Sequence, residues 1–454
     1  MATVTNEQAL GALAANLHGS VLRPGEPAYE AARRIFNGMI DRRPRLIVQA
    51  LGAGDVMQAV HFARENDLLV AVRGGGHNVA GHALCDDQML IDLSRLRSVR
   101  VDPRRRVAHA DPGCSYTDFD LECQAHGLAT TGGTVASTGI AGLTLGGGLG
   151  FLMGSYGLAC DNVLSVDIVL ADGRFMKASA DENSDLYWAV RGGGGNFGVV
   201  TSFEFQLHHV GPLLGGMIIW PIKDGREALQ AFREVTMSAP DELSCAYAIV
   251  ILPGMGTVAL VAACHNGPVH SGEPLIRVLQ KAGKPLDDGI RPISYIEVQH
   301  LFAEIPFGLQ NYWKGHFVRE MPDAAIDAVM DAADSMTSEH SAILIEAPHG
   351  AASRVPDADT AYSQRDKRYN ISALAIWEED GNPQRHIEWT RDFAARIEPL
   401  SGGGAAYVNY LSDDASADEV KGAYGGEKYR RLRALKAKYD PQNVFRYNQN
   451  IPPG

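Results

Sequence analysis

The chain has few cysteines, and none of them has a spacing that binds zinc. No C-x-x-C pair occurs, so neither a zinc site nor a dense disulfide framework is expected. We therefore expect reduced thiols and a cytoplasmic enzyme. The six cysteines are Cys85, Cys114, Cys123, Cys160, Cys245 and Cys264.

Long apolar runs and an excess of positive charge are also missing. No stretch approaches the roughly 20 apolar residues of a membrane span, and Met1 to Ser20 lack the pattern of a signal peptide. The net charge of −13 argues against nucleic acid as a partner, because phosphate contacts need an excess of Lys and Arg. We expect neither a nucleic-acid nor a membrane partner, and the oligomeric state stays open.

Motifs of several common enzyme classes do not occur. The sequence contains no G-x-x-x-x-G-K-[ST] loop and no H-E-x-x-H, and no metal is expected. Ser137 and Ser155 lack the flanking glycines of a nucleophile elbow. Six histidines show no metal-binding spacing and are interpreted as structural or surface residues: His82, His109, His126, His208, His209 and His300.

Glycine, in contrast, is abundant, with 49 residues that gather in clusters. The first cluster, Arg73 to Asn78, follows an apolar run from Leu68 to Val72 that predicts a buried strand. Successive glycines allow backbone amides to form a concavity that binds phosphate oxygens. One interpretation, which the later segments of the chain strengthen, is a loop holding the pyrophosphate of a flavin dinucleotide, with His77 bonded to the flavin ring. A simple tight turn with a solvent-facing His is the alternative.

The second cluster runs from Gly132 to Gly150, and the polar side chains within it are all small. Exposed amides and small side chains suit a backbone that lies against a flat, polar ring system. A glycine-rich connector is the alternative, but Ile140, Leu143 and Leu145 interleave and indicate ordered packing.

The third cluster satisfies the G-x-G-x-x-G pattern at Gly193, Gly195 and Gly198. The dinucleotide fingerprint requires a strand before it and a helix after it. Here Val199 to Leu207 alternates polar and apolar residues and predicts a strand instead. A Rossmann site, and with it an NAD-dependent dehydrogenase, is the least favoured interpretation.

At 454 residues, the chain is expected to form two domains. Asp55 and Ser115 are predicted to cap helices in the first half. From His208 onward, strand-like and helix-like runs alternate, which predicts an α+β pattern with one antiparallel sheet covered by helices. The tail after the glycines at 402–404 is rich in Asn and aromatic residues, so we expect it to dock onto the first domain.

Taken in order, these segments resemble the berberine-bridge-enzyme-like members of the vanillyl-alcohol-oxidase (PCMH-type) FAD-linked oxidases. The resemblance rests on four segments: Val72 to Asn78, Thr131 to Gly150, Trp188 to Val200, and Tyr447 to Pro453. The resemblance implies a two-domain FAD-binding fold. Residues 1–207 and 405–454 would form the FAD-binding domain, and 208–404 would form an inserted substrate-binding domain.

The resemblance also implies an FAD bonded through its 8α position to His77. Many plant relatives add a second bond from a Cys, but Val135 stands at that place and Leu143 replaces a neighbouring His, so a single bond is predicted. The predicted cofactor-binding residues are His77, Arg73, Gly74, Gly75, Gly76, Asn78, Thr134, Val135, Ser137, Thr138, Gly139, Gly142, Leu143, Gly150, Val200, Tyr447 and Asn448.

The implied reaction is hydride transfer from an alcohol or amine C–H of a small molecule to flavin N5, with O2 reduced to H2O2. A base must accept the substrate proton, and the candidates are Tyr447, Tyr407, Tyr410 and Tyr312. A Tyr base needs a cationic neighbour or strong hydrogen-bond donors, and Arg446 or Lys314 could supply the charge. Tyr312 and Trp313 could line the pocket. A dehydrogenase of the same fold and a flavin-carrying binding protein stay open, as do secondary metabolites, sugars and hydroxylated N-heterocycles as substrates.

Overall fold

The computed structural model describes residues 7–454, so the first six residues of the predicted first domain lie outside the described residues. The first part of the chain contains α1 (Glu7–Ala15), β1 (Ser20–Leu22), α2 (Tyr29–Ala32), β2 (Leu46–Gln49), α3 (Ala53–Glu65), β3 (Val70–Arg73), β4 (Met89–Asp92), β5 (Val99–Asp102), β6 (Val107–Ala110), α4 (Tyr116–Gln124), β7 (Leu128–Ala129), α5 (Ile140–Leu145), α6 (Met153–Tyr156), β8 (Val163–Val169), β9 (Phe175–Ser179), α7 (Ser184–Val190), β10 (Val199–Gln206) and β11 (His208–His209).

The remainder continues in the α+β pattern. It contains β12 (Leu213–Pro221), α8 (Gly225–Met237), β13 (Leu243–Leu252), β14 (Gly256–His265), α9 (Val269–Gln280), β15 (Asp287–Asp288), β16 (Arg291–Ile293), α10 (Tyr295–Gln299), β17 (Gln310–Val318), α11 (Asp323–Asp334), β18 (Ala342–Glu346), α12 (Ala351–Arg354), β19 (Tyr369–Trp377), α13 (Pro383–Ser401), α14 (Ala417–Tyr424) and α15 (Gly426–Tyr439).

A small sheet in the order β1-β2-β4-β3 carries the first glycine loop. Strands β2, β4 and β3 are parallel, and α3 connects β2 to β3. Because parallel strands point their carboxyl ends to one edge, β3 delivers the glycine loop to that edge. The predicted cap at Asp55 is wrong, since α3 begins after Gly52. The Asp55 carboxylate instead accepts backbone hydrogen bonds from His18 and Leu51, both at 2.8 Å.

A second, antiparallel sheet has the order β5-β6-β10-β8-β9. Ser115 caps α4 as predicted: its hydroxyl accepts from the Asp118 amide, and the Asp118 carboxylate accepts from the Ser115 amide at 2.8 Å. This reciprocal pairing satisfies two backbone donors that the helix start would otherwise leave free. It fixes the direction of α4, which packs against the second glycine cluster.

The large antiparallel sheet has the order β15-β12-β14-β13-β18-β19-β17, with β16 added beside β12. Helices α8, α9, α11 and α13 cover one face and bury an extensive apolar core against it. The predicted antiparallel sheet with covering helices is confirmed, although these four helices lie on one face only. Side chains alternate along a strand, so every second residue of β17, β18 and β19 points to the other face.

The cysteines and the helices of the described residues can be compared with the expectations of reduced thiols and no membrane span. All six cysteines are buried and unpaired. Within residues 7–454, no helix has both the length and the apolar content needed to cross a membrane.

The C-terminal tail packs against the first part of the chain, as the sequence predicts. Residues between Ala406 and Ile451 share an apolar cluster with residues of β6, β8 and β10. The Ile451 amide donates to Asn196 Oδ1 at 3.0 Å. A fully buried ion pair, Lys436 with Asp440 at 2.6 Å, supports this tail, and the same ammonium donates to the Asn196 carbonyl at 2.7 Å.

Replacement of Lys436 by Met is expected to lower the free energy of unfolding by about 3–5 kcal/mol, because Asp440 stays buried without its cation. Lys438→Met is the matched control on the same helix. Lys438 pairs with Asp185 in an exposed position, so its loss is expected to cost at most about 1 kcal/mol. Denaturant unfolding of both variants measures the difference. Equal losses would contradict a tail anchored by the buried pair.

Candidate active site

One large cavity lies between the glycine clusters and the large sheet. It opens on the face of the sheet that helices α8, α9, α11 and α13 leave uncovered. It encloses about 1780 Å³ including its open mouth. Most residues predicted for the site line this cavity: Gly74, Gly75, Gly76, His77, Asn78, Thr134, Val135, Thr138, Gly139, Gly142, Leu143, Val200, Tyr407, Tyr410, Tyr447 and Asn448. The fold therefore brings both glycine clusters, the tail and the large sheet to one place.

The two glycine clusters cross each other in direct backbone contact at Gly75 and Gly139. A methyl group on either residue would lie 2.6 Å from the Cα of the other, which is closer than carbon atoms pack. Glycine is required at this crossing because no side chain fits between the two loops. The crossing leaves the backbone of both loops at the cavity surface.

Gly75→Ala is expected to destabilise the protein by roughly 1–3 kcal/mol, the usual cost of overpacking, and to weaken cofactor retention. Gly54→Ala in α3 is the matched control, since nothing lies within 4 Å of its added methyl group. Thermal unfolding and the absorbance of retained flavin measure both effects. A Gly75→Ala protein as stable and as yellow as Gly54→Ala would show that the crossing has no such role.

His77 follows the glycines of the first loop at the cavity wall. Its ring stacks on Phe36 with centroids 4.9 Å apart and meets the edge of Phe307 at 5.2 Å. The Ser137 carbonyl accepts a hydrogen bond from the imidazole, while Nε2 is buried without a partner. Burial lowers the pKa of His77 to about 4. The ring is therefore neutral near pH 7 and keeps a lone pair for bond formation.

Three predicted cofactor residues do not line the cavity. Arg73 is occupied by a buried bidentate pair with Asp92, at 3.0 and 2.6 Å. Gly150 packs against the backbone, where a methyl group would lie 2.0 Å from the Gly132 carbonyl oxygen. Ser137 acts through its backbone on His77. These residues shape or orient the site from outside the cavity.

Tyr312 is also placed away from the cavity, which corrects the expectation that it lines the pocket. Alternation along β17 sends Trp313 into the cavity and Tyr312 into the core under the helices. The Tyr312 hydroxyl donates to Asp414 Oδ2 at 2.7 Å and accepts from Arg391 at 2.9 Å. This placement gives Tyr312 no access to a substrate in the cavity.

The two predicted cationic helpers are engaged elsewhere. Lys314 pairs with Glu419 at 3.0 Å, and Arg446 is exposed and donates to the Asn443 carbonyl at 3.1 Å. Burial is the main influence on the pKa of Tyr447 and raises it. Burial also raises the pKa of Tyr407 and of Tyr410. None of these three tyrosines is set up as a phenolate.

Glu346, which sequence reasoning missed, is the only acidic residue among the described residues that line the cavity. It ends β18, and burial raises its pKa to about 7. Asn370 donates to its Oε2 at 2.9 Å, and the Tyr410 hydroxyl donates to the same oxygen at 3.3 Å. One carboxyl in an otherwise apolar strand is the signal that could have identified it.

Tyr407 and Tyr410 stand beside Glu346 with ring centroids 4.9 Å apart. The Tyr407 oxygen accepts hydrogen bonds from the Gly148 amide at 3.0 Å and from Asn409 Nδ2 at 2.9 Å. Both bonds use its lone pairs, so its own proton is free to be donated into the cavity. Asn409 also lines the cavity.

His82 and Gln449 are further cavity residues that were not predicted. A hydrogen bond joins their side chains, and burial lowers the pKa of His82 to about 4. Gly194, Gly195 and Gly198 also reach the cavity, although not as a Rossmann loop. Helix α7 precedes these glycines and strand β10 follows them, the reverse of the dinucleotide fingerprint.

Comparisons with known proteins agree with this architecture. Residues 44–179 match the family model described as FAD binding domain, and residues 406–452 match the one described as berberine and berberine like. An FAD-linked oxidoreductase of Dictyostelium discoideum is 33% identical over 96% of this chain and 95% of its own length. (R)-6-hydroxynicotine oxidase of Paenarthrobacter nicotinovorans is 32% identical over 96% of this chain and 97% of its own.

Solved structures give the same result. The crystal structure of 6-hydroxy-D-nicotine oxidase from Arthrobacter nicotinovorans matches with a TM-score of 0.88 and 31% identity, covering 96% of this chain and 98% of that one. The structure of wild-type Physcomitrella patens BBE-like 1 matches with a TM-score of 0.89 and 25% identity, covering 99% of this chain and 99% of that one. The fold and the matches to known proteins together define this chain as an FAD-dependent oxidoreductase. The chain belongs to the berberine-bridge-enzyme-like family of FAD-linked oxidoreductases, with a PCMH-type fold.

The residues present fit the FAD that this family implies. The crossing at Gly75 and Gly139 leaves a backbone cradle without side chains, and such a cradle suits a pyrophosphate. Nε2 of His77 is a buried polar atom without a partner at the edge of this cradle. Asn448 and Gln449 bring the tail to the same wall.

Proposed function

We propose that the protein is an FAD-linked oxidase that carries its flavin on His77 through one covalent bond and oxidises an alcohol or amine C–H of a small molecule. The supporting observation is one cavity that holds both a neutral imidazole with an unpartnered Nε2 and the buried Glu346. Val135 and Leu143 at the cavity wall supply no second attachment. Residues 1–207 and 405–454 would form the FAD-binding part, and 208–404 the substrate-binding part.

Bound FAD would accept a hydride from the substrate carbon and then pass two electrons, with two protons, to O2 to give H2O2. The glycine backbone around Gly75 and Gly139 would hold the pyrophosphate, with Asn78, Thr134, Thr138 and Asn448 near it. Covalent attachment would keep the ring in position between turnovers.

The chain's own residues handle the proton. Glu346 in its carboxylate form would accept the O–H or N–H proton of the substrate, with Asn370 and Tyr410 holding the carboxylate in place. Tyr407 would donate its free O–H to the reacting heteroatom. Tyr447 lines the wall formed by the tail and is assigned a cofactor contact. Glu346 thus replaces a tyrosine as the proposed base.

Anaerobic mixing with alcohols, amines and sugars tests the proposal. Loss of flavin absorbance with one substrate class, followed by H2O2 formation on adding O2, is the expected result. Bleaching without reoxidation in air would indicate a dehydrogenase with another acceptor. A stable yellow protein that no compound bleaches would indicate a flavin-carrying binding protein.

A further inference from the structure

The described side chains that line the cavity can supply negative charge but no positive charge near pH 7. Among the described residues that line it, none is Lys or Arg, and Glu346 is the single acidic residue. Burial lowers the pKa of both His77 and His82 to about 4, so these rings carry no charge near pH 7. A negatively charged Glu346 therefore has no cationic residue of the cavity wall to balance it.

One oxygen of Glu346 is left for a ligand. Both hydrogen bonds to this carboxyl, from Asn370 and Tyr410, end on Oε2, and among residues 7–454 no donor contacts Oε1. Oε1 is not a buried atom, so it keeps exposed surface, and Glu346 lines the cavity. Burial, together with the charge of Glu346, raises the pKa of Tyr362, Tyr407 and Tyr410, which are all neutral phenols near pH 7. A buried carboxylate without a cation is costly unless a ligand pairs with it.

The walls beside this carboxyl are apolar and aromatic. On the large sheet, the cavity is bounded by Trp313, Leu344, Leu374 and Glu346. Trp313 meets Tyr410 edge to face with centroids 5.4 Å apart. Aromatic faces attract cations and pack against flat rings. A hydroxyl-rich sugar would leave many polar groups unpaired against these walls.

We propose, on the basis of the proposed function, that the substrate is a protonated amine on an apolar, ring-containing skeleton, and that Glu346 recognises its ammonium. Glu346 first pairs with the ammonium and then takes one N–H proton. The freed nitrogen lone pair would form the C=N bond as the adjacent C–H leaves as a hydride, which bound FAD would accept. Water then converts the iminium product to a carbonyl compound and releases the amine nitrogen.

The experiment uses the flavin-loaded protein and matched ligands. The panel contains benzylamine and 2-phenylethylamine, the alcohols of the same skeletons, phenylacetate, and cellobiose. Perturbation of the flavin spectrum under anaerobic conditions gives Kd, and bleaching gives the rate of reduction. At about pH 8, where carboxylate and ammonium are both charged, the amines are expected to bind about tenfold or more tightly than the alcohols. Phenylacetate is expected not to bind.

Two variants separate the charge from other effects. Glu346→Gln keeps the size of the side chain and is expected to remove the preference for amine over alcohol. Glu378→Gln removes an exposed carboxyl outside the cavity and is expected to keep the preference. Below about pH 6, protonation of Glu346 should weaken the preference in the wild type.

The outcomes are distinguishable from failure of the proposed function. Equal binding of amines and alcohols, tighter binding of cellobiose or phenylacetate, or no binding of any amine would overturn the inference. If one of the neutral compounds bleaches the flavin in those cases, the proposed oxidase function stands without the amine. A protein that takes up no flavin would overturn the proposed function itself.

Discussion

His77→Ala protein is expected to release all of its flavin on denaturation, whereas the wild type is expected to keep flavin on the polypeptide. The imidazole is the one predicted attachment point, and it lies neutral, with Nε2 unpartnered, at the edge of the glycine cradle. The variant should still bind FAD non-covalently, because the crossing at Gly75 and Gly139 is unchanged. In-gel flavin fluorescence and the intact mass of the denatured protein measure the bond.

His82 provides the matched control for this prediction. It is a second buried imidazole of the same cavity, with a similarly lowered pKa. Its ring, however, makes a hydrogen bond with the side chain of Gln449. His82→Asn is therefore expected to keep the covalent flavin. Flavin that stays bonded after His77→Ala, or wild-type protein without any flavin adduct, would contradict attachment through His77.

The glycine clusters could be predicted from sequence because their chemistry is local. A strand followed by Gly74 to Gly76 and an imidazole predicts a ligand loop without knowledge of the rest of the fold. The same holds for the failed Rossmann match at Gly193 to Gly198, because the following strand is visible in the alternation of β10. The contact between Gly75 and Gly139 could not be predicted from the sequence, because it depends on how two distant loops pack together.

The proposed catalytic group was harder to predict because its identity depends on sheet register. In the sequence, Tyr312 and Trp313 are equivalent candidates, and only the face that each presents separates them. Glu346 lies opposite Asn370 in the pairing of β18 with β19 and meets Tyr410 from the tail. These long-range contacts are invisible in a local pattern, as was the pairing of Lys314 with Glu419.

Glu346→Gln is expected to lower the rate of flavin reduction by about 10²–10⁴, the usual contribution of a general base. The amide keeps the size of the side chain and can still accept from Asn370, but it cannot take a proton. In the wild type, burial raises the pKa of Glu346 to about 7. The carboxylate form predominates only above that value, so the reduction rate should rise as pH increases through about 7.

Stopped-flow reduction across pH measures both effects, with Tyr410→Phe as the comparison variant. Tyr410 contributes one hydrogen bond of 3.3 Å to Glu346, so its loss should slow reduction less than loss of the carboxyl does. Without that donor the carboxylate is less stabilised, and the pH at which the rate rises should move upward. A Glu346→Gln protein that reduces its flavin at the wild-type rate would remove Glu346 from proton transfer. If the reduction rate of this variant were unchanged but no longer depended on pH, Glu346 would be restricted to a binding role.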